Sequence, residues 1–170
     1  MPQLLGEFDC KMDSKGRLRL PAALQKQLQA FGSSNYVINR GMTSYLTLFP
    51  KITWEHESAK VKALNGYIEK NQAFKRYFYR GATPLEPDSA DRILLPKSLI
   101  EYAGIKKQVI IQGMDDRIEI WDKEAYLNDI NQEPADFRRL AEDTWSSVSQ
   151  PPPPNNPQNP FNPPSGHVLP

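Results

Sequence analysis

The chain has 170 residues, one cysteine and a formal net charge of +1. That length allows one domain or two small ones, and a lone Cys10 excludes an internal disulfide and points to a reducing compartment. No apolar run approaches the roughly 20 residues that span a bilayer, and the N-terminus lacks a basic start followed by an apolar core, so a cytoplasmic protein without membrane contact is expected.

From Leu4 to Met12, the residues Leu4, Phe8, Cys10 and Met12 share one face at period two, with Gly6 among them, as in a half-buried strand. Cys10 therefore reads as a small buried hydrophobe. Asp13-Ser-Lys-Gly16 reads as a turn, in which the aspartate accepts hydrogen bonds from the backbone just beyond it and the glycine supplies a positive φ. Alternation resumes in Arg17-Leu-Arg-Leu20, with Leu18 and Leu20 inward and both arginines outward. Pro21 suits the first turn of a helix on which Leu24 and Leu28 share a face. After a loop around Phe31–Asn35, the segments Tyr36-Val-Ile-Asn-Arg-Gly41 and Tyr45-Leu-Thr-Leu-Phe49 read as two strands.

Two helices follow. Thr53 is the expected cap of one running to about Leu64, ended by Asn65-Gly66. The next runs from Tyr67 to about Arg80, with an apolar stripe of Phe74, Tyr77 and Phe78. Lys70, Lys75, Arg76 and Arg80 make it basic. A solvated face is the ordinary reading of such charge; a phosphate-facing or subunit-facing surface is the sharper one.

The pattern then repeats. Asp88-Ser-Ala-Asp-Arg-Ile-Leu-Leu-Pro-Lys-Ser-Leu99 matches Asp13–Leu24 at an offset of 75, and Gly81 matches Gly6. Gln108-Val-Ile-Ile-Gln-Gly113 matches Tyr36–Gly41 at an offset of 72, Met114 matches Met42, and Arg117-Ile-Glu-Ile-Trp121 matches Tyr45–Phe49. The change of offset falls at the Phe31–Asn35 loop, where length changes are tolerated. Gly104 reads as the C-terminus of the second copy's helix. One copy alone buries too little apolar surface to stand, so the two are expected to interlock as one body, closing a shared barrel that removes strand edges.

Beyond the second copy, Ala135 to about Ser146 reads as an amphipathic helix with Phe137, Leu140, Ala141 and Trp145 on one side. After Gln150 the chain is Pro/Asn-rich and without periodicity. It reads as a disordered, locally polyproline-II tail, a solubilising segment before a ligand for an aromatic groove.

Charge is unevenly spread. Residues 1–80 carry thirteen Lys/Arg against six Asp/Glu, and residues 81–170 eight against fourteen. A basic face for an anion, or a head-to-tail contact between subunits, would use that asymmetry; simple drift of surface charge is the plain alternative. The catalytic inventory is thin. His56 and His167 have no metal-ligand partners at suitable spacing, no Gly-rich phosphate loop is present, and Glu86, Asp88 and Asp91 sit in a turn that they can simply serve. No enzyme, cofactor, metal or small-molecule substrate is expected.

The segments Glu7-Phe-x-Cys-x-Met-Asp-Ser-Lys-Gly-Arg-Leu-x-Leu-Pro21, Arg40-Gly-Met42 with Leu48-Phe-Pro50, Arg80-Gly-Ala82, Asp88-x-x-x-Arg-Ile-Leu-Leu-Pro96, Tyr102-Ala-Gly-Ile105 and Arg117-Ile-Glu-Ile-Trp121 together resemble the MraZ family. The resemblance covers essentially residues 1–146; the Pro/Asn tail is outside it. It implies an α+β, mainly β chain of two swapped-hairpin AbrB-like (SpoVT-AbrB) modules that form one pseudo-twofold barrel, with a helical insert and a C-terminal helix. The expected boundaries are 5–53 for the first module, 54–80 for the insert, 81–126 for the second module, 127–149 for the C-terminal helical extension and 150–170 for the tail. It further implies a nucleoid-associated transcriptional repressor in a ring-shaped homo-oligomer. Such a protein binds short double-stranded DNA repeats upstream of the division and cell-wall gene cluster, its own promoter included. The family's DNA-contacting Asp-x-x-x-Arg motif falls on Asp13 and Arg17, and again on Asp88 and Arg92.

Chemistry agrees with that assignment most clearly in the first copy. A guanidinium at the outer end of a tight turn can take a guanine edge or a phosphate, and Lys11, Lys15 and Arg19 beside it suit phosphates. An Asp and an Arg four apart around a turn often do no more than pair with each other, but here the arrangement recurs in the same strand–turn–strand setting. In the second copy Ala90 and Asp91 replace Lys15 and Gly16, and Pro87 replaces Met12. Asp91 would repel phosphate and is expected to pair with Arg92, so the first copy should dominate DNA contact and the second serve more in assembly. The alternative is an AbrB-like antitoxin-type protein that neutralises a partner protein, with the tail as its grip.

Overall fold

A computed structural model describes residues 2–32, 34–131 and 133–148; the expectations for the Pro/Asn tail lie outside them. The chain divides into two compact units between Ile130 and Asn131. In the first unit the order is β1 (Glu7–Lys11), β2 (Arg17–Arg19), α1 (Ala22–Leu28), β3 (Tyr36–Arg40), β4 (Leu46–Pro50), α2 (Lys51–Lys62), α3 (Glu69–Tyr79), β5 (Thr83–Leu85), β6 (Arg92–Leu94), α4 (Lys97–Ala103), β7 (Gln108–Met114), β8 (Arg117–Asp122) and α5 (Lys123–Ile130). The second unit carries α6 (Pro134–Val148), on which Phe137, Leu140 and Trp145 are exposed. Each copy of the repeat therefore ends in two helices, α2 and α3 after β4, α5 and α6 after β8. The pair that the sequence presents as an insert has a counterpart at the end of the second copy.

Strand pairing explains why neither copy stands alone. The main sheet is antiparallel with the order β1-β7-β8-β4-β3-β5, and β2 pairs with β6 in a separate two-stranded ribbon. Exchanging β1 with β5, β3 with β7 and β4 with β8 simply reverses that order, so the sheet has a pseudo-twofold between β4 and β8. The first strand of each copy lies on the third strand of the other. The closed barrel expected from the sequence is not detected: among the described residues the ladders make one open sheet and one ribbon. β1 and β5 end at opposite edges and so do not meet.

The register corrects one detail of the alignment. Tyr36 faces Pro50 in the first copy, and the equivalent pair is Val109 with Asp122. β3 thus maps onto β7 at an offset of 73, placing Ile38 with Ile111 rather than Ile110. The hairpin turns differ in length: Arg40 and Leu46 flank the first, while Gly113 and Ile118 pair at the matching place in the second. A one-residue slip exchanges the faces of a strand. Accordingly Ile111 lies in the main core, and Ile110 packs on the other side with Trp121 and Tyr126.

The main core lies between the sheet and the ribbon-and-helix layer. Leu18 and Leu20 from β2 and its end, Leu24 and Leu28 from α1, and Ile93 and Leu99 from the second copy are almost completely buried there. So are Leu4, Leu46, Leu48, Ile118 and Ile120, at the inward phase their alternation predicts. Each such side chain contributes about 1.5–3 kcal/mol by leaving water.

Two helix readings change. α2 opens at Lys51 directly after Pro50, and Thr53, read as its cap, is already inside it; its hydroxyl donates to the carbonyl of Asp116 at 2.9 Å and ties α2 to the β7–β8 turn. α3 carries the expected aromatic residues, yet buries none of its side chains fully. Phe78 stacks on Trp54 with ring centroids 5.6 Å apart, while Phe74 and Tyr77 stay exposed. Among the described residues, no helix is long and apolar enough to cross a membrane.

Candidate functional site

The first Asp-x-x-x-Arg corner is built almost wholly by its aspartate. Asp13 Oδ1 accepts the backbone N–H of Lys15 and that of Arg17, both at 2.9 Å, and Oδ2 accepts the Arg17 Nε–H at 2.7 Å. The backbone closes the same loop: the Asp13 N–H donates to the Arg17 carbonyl, and the Gly16 N–H to the Asp13 carbonyl. Gly16 has φ +80°, the left-handed conformation the turn chemistry predicts. These donors, the Arg17 N–H first, hold the Asp13 carboxyl below the usual carboxylate range.

The second corner repeats this bond for bond. Asp88 Oδ1 accepts from Ala90 N at 2.9 Å and from Arg92 N at 3.0 Å, and Oδ2 takes the Arg92 Nε–H at 2.9 Å. Its carboxyl is lowered in the same way, again chiefly by the arginine's backbone N–H. Asp91 stands where Gly16 does and adopts φ +58°, which aspartate tolerates better than most residues. Its expected ion pair with Arg92 is not made: among the described residues Arg92 is paired with Asp88. Asp91 lies instead beside the first copy, its carbonyl accepting from Leu20 N at 3.1 Å, just as the Gly16 carbonyl accepts from Leu95 N at 2.9 Å.

Both corners are the two ends of one ribbon. In the β2–β6 ladder, Leu18 faces Ile93 at the centre; Arg17 faces Leu94, and Arg19 faces Arg92. The central pair is buried, and the other four residues point to the opposite face. Arg17 and Arg92 are about one-third exposed, pinned by their aspartates but open to a ligand. Arg19 and Lys15 are exposed, as is Lys11 on β1. Arg19, Lys11 and Asp91 line one open cleft of about 660 Å³ beside Pro21 and Gln25.

The cross-strand pairing redistributes charge in a way the sequence hides. The Arg17 end gathers Lys15 from its own turn and Leu94 from the other copy. The Arg92 end gathers Arg19 from the other copy, with Asp91 beside it. Arg19 directly opposite Arg92 is a like-charge pair, an arrangement that by itself destabilises a sheet; the Asp88 carboxylate on Arg92 offsets part of that repulsion. The ribbon and its turns therefore carry Lys15, Arg17, Arg19 and Arg92 against Asp13, Asp88 and Asp91. Three guanidiniums, those of Arg17, Arg19 and Arg92, share the outward face of the ribbon. Leu94 was missed from sequence; its outward phase was readable, but its position opposite Arg17 was not.

A second cleft, of about 450 Å³, lies on the other face of the sheet against α2 and α3, lined by Arg40, Phe49, Trp54 and Tyr77. There Arg40 lies between the rings of Tyr77 and Tyr102, 4.8 Å from each centroid. Among the described residues no group of three or more His, Cys, Asp or Glu side chains could hold a metal ion.

Compared with known proteins, residues 3–77 and 78–146 each match the family model described as "MraZ protein, putative antitoxin-like". The chain is 37% identical over 148 residues, 86% of its own length and 96% of the relative's, to the "Transcriptional regulator MraZ" of Christiangramia forsetii. The same name is carried by a relative from Cytophaga hutchinsonii, 36% identical over 81% of this chain and 91% of that protein. It is carried also by one from Desulforamulus reducens, 37% identical over 81% of this chain and 94% of that protein.

Proposed function

The chain belongs to the MraZ family, and from that premise we propose that it is a sequence-specific DNA-binding transcriptional regulator whose DNA-reading element is the β2–β6 ribbon. The observation that carries the proposal is the pair of Asp-pinned arginines presented on one outward face, with a third arginine, Arg19, set directly opposite Arg92. Arg17 and Arg92 are assigned to base edges, and Lys15 and Arg19 to phosphates; Asp13 and Asp88 fix the guanidiniums and touch DNA only through them. The Arg17 end, with Lys15 and no second acid, makes the stronger contact.

One ribbon is a weak reader, since a good bidentate contact discriminates by about 1–3 kcal/mol. A ring-shaped homo-oligomer repeating the ribbon would hold several short promoter repeats at once, and avidity would supply the rest. The basic first half and acidic second half suit head-to-tail assembly. The exchange of first strands between copies supports the swapped-hairpin reading of each module. The target is the region upstream of the chain's own gene within a division and cell-wall gene cluster, and the effect is repression.

The test is a titration of that upstream duplex against a shuffled duplex of equal length at several salt concentrations, with native mass measured in parallel. Affinity falling steeply with salt, specific preference for the upstream duplex and a large homo-oligomer are the expected results. A flat salt response, no preference, or Arg17→Ala/Arg92→Ala binding like the wild type overturns the reading. Relatives named as transcriptional regulators favour this reading over an antitoxin-type protein, which would instead show stoichiometric co-purification of a partner protein and only a modest salt slope on DNA.

A further inference from the structure

The ribbon's twofold is broken at one outward position. It relates Arg17 to Arg92, and Leu18 to Ile93, but it relates Arg19 to Leu94. Leu94 is 57% exposed and is the one apolar side chain among the four that β2 and β6 turn outward. A single exposed leucine is ordinary on a protein surface. This one is set apart by its neighbours: it faces Arg17 across the ladder, next to a turn that carries Lys15.

Base edges in a major groove offer hydrogen-bond donors and acceptors and one apolar group, the C5-methyl of thymine. A leucine cannot answer the donors and acceptors, so in a groove its complement is that methyl. Cross-strand partners on one face stand close together, with Cβ atoms about 5 Å apart, within the reach of neighbouring base pairs. We propose that Leu94 is a specificity-determining residue that packs on a thymine methyl close to the base contacted by Arg17, so that each ribbon reads an arginine contact and a methyl contact supplied by different copies of the repeat. The two ends of the ribbon are then chemically distinct: Arg17 has an apolar base-reading partner in Leu94, whereas Arg92 has a phosphate-directed partner in Arg19. This rests on the DNA-reading assignment above.

The probe is the duplex upstream of the chain's own gene, amplified once with thymidine triphosphate and once with deoxyuridine triphosphate, so that the second product lacks every thymine methyl. Wild-type protein should bind the uracil duplex at least about fourfold more weakly, the equivalent of one buried methylene-sized group. Leu94→Ala should bind both duplexes alike, near the wild-type level on uracil. Leu94→Arg, which restores the twofold, should lose the methyl preference and steepen the salt slope by about one phosphate contact. Leu94 is exposed, so a melting curve checks that these variants fold. Equal binding of both duplexes by wild type, or an undiminished methyl preference in Leu94→Ala, overturns the proposal. A fall in native mass of Leu94→Ala with the methyl preference intact also overturns it, by making Leu94 a subunit contact. Arg17→Ala separates the two levels: if it binds like wild type, the DNA-reading assignment fails; if it binds weakly while wild type ignores the methyl, only the role of Leu94 fails.

Discussion

The two Asp-x-x-x-Arg corners have the same hydrogen bonds and different neighbourhoods. Asp13 and Asp88 hold their arginines by the same set of contacts, within a few tenths of an ångström. Nothing in the skeleton of either corner favours it over the other. What differs comes from outside: Gly16 and Lys15 at one, Asp91 and Ala90 at the other, and across the ladder Leu94 at one and Arg19 at the other. A duplicated motif keeps its shape because the aspartate enforces it locally, while its chemistry can diverge through residues that neither corner needs for folding.

The largest effect should come from breaking what the corners share. Leu18 is fully buried opposite Ile93 at the ribbon's centre. Leu18→Ala should cost about 2–5 kcal/mol in a chemical denaturation experiment and should weaken DNA binding from both ends together.

Exchanging the turn residues comes next. Gly16→Asp forces a side chain onto φ +80° with its Cβ 3.2 Å from Ile100 Cδ1. It should lose about 1–2 kcal/mol of stability, and DNA affinity should drop with it. The reverse change, Asp91→Gly, should gain a few tenths of a kcal/mol and tighten DNA binding by removing an acid beside Arg19. Stability and affinity are thus expected to move in the same direction in both variants.

Arg19→Thr separates the two quantities. Relief of the Arg19–Arg92 repulsion should raise stability by about 0.2–1 kcal/mol, while DNA affinity falls and its salt slope flattens by about one contact.

The smallest effect is one of pH. Both aspartates are held below their ordinary range in the folded state. Their contribution is therefore fully present above about pH 4 and is lost as pH falls through the depressed folded values. Denaturation midpoints between pH 2 and 5 should fall less steeply for Asp13→Asn/Asp88→Asn than for wild type, and the wild type's advantage should be largest at neutral pH.

Much of this was legible in the chain because it is local. The period-two leucines, the turn with its aspartate and glycine, and the helix carrying Leu24 and Leu28 depend on residues within a few positions of one another. The pairing of β2 with β6 is not local, and no sequence signal states it. That is why the sequence points to an Asp91–Arg92 ion pair where Arg92 pairs with Asp88 and the Asp91 carbonyl accepts from Leu20, and why it does not place Leu94 opposite Arg17. The Gly41/Gly113 match misled the alignment of β3 with β7 because the missing residue lies in the hairpin turn, beyond the strand rather than before it. Thr53 has the chemistry of a cap, but Pro50 already ends β4 in a conformation from which the helix can start, and the hydroxyl is used to reach Asp116.

The most direct test of the comparison is a binding titration of Arg17→Ala and Arg92→Ala on the upstream duplex at one matched salt concentration. Both variants should bind more weakly than wild type, Arg17→Ala by about tenfold or more and Arg92→Ala by clearly less. Equal losses would contradict the claim that the neighbourhoods make the corners unequal, and no loss in either would contradict the ribbon's role altogether.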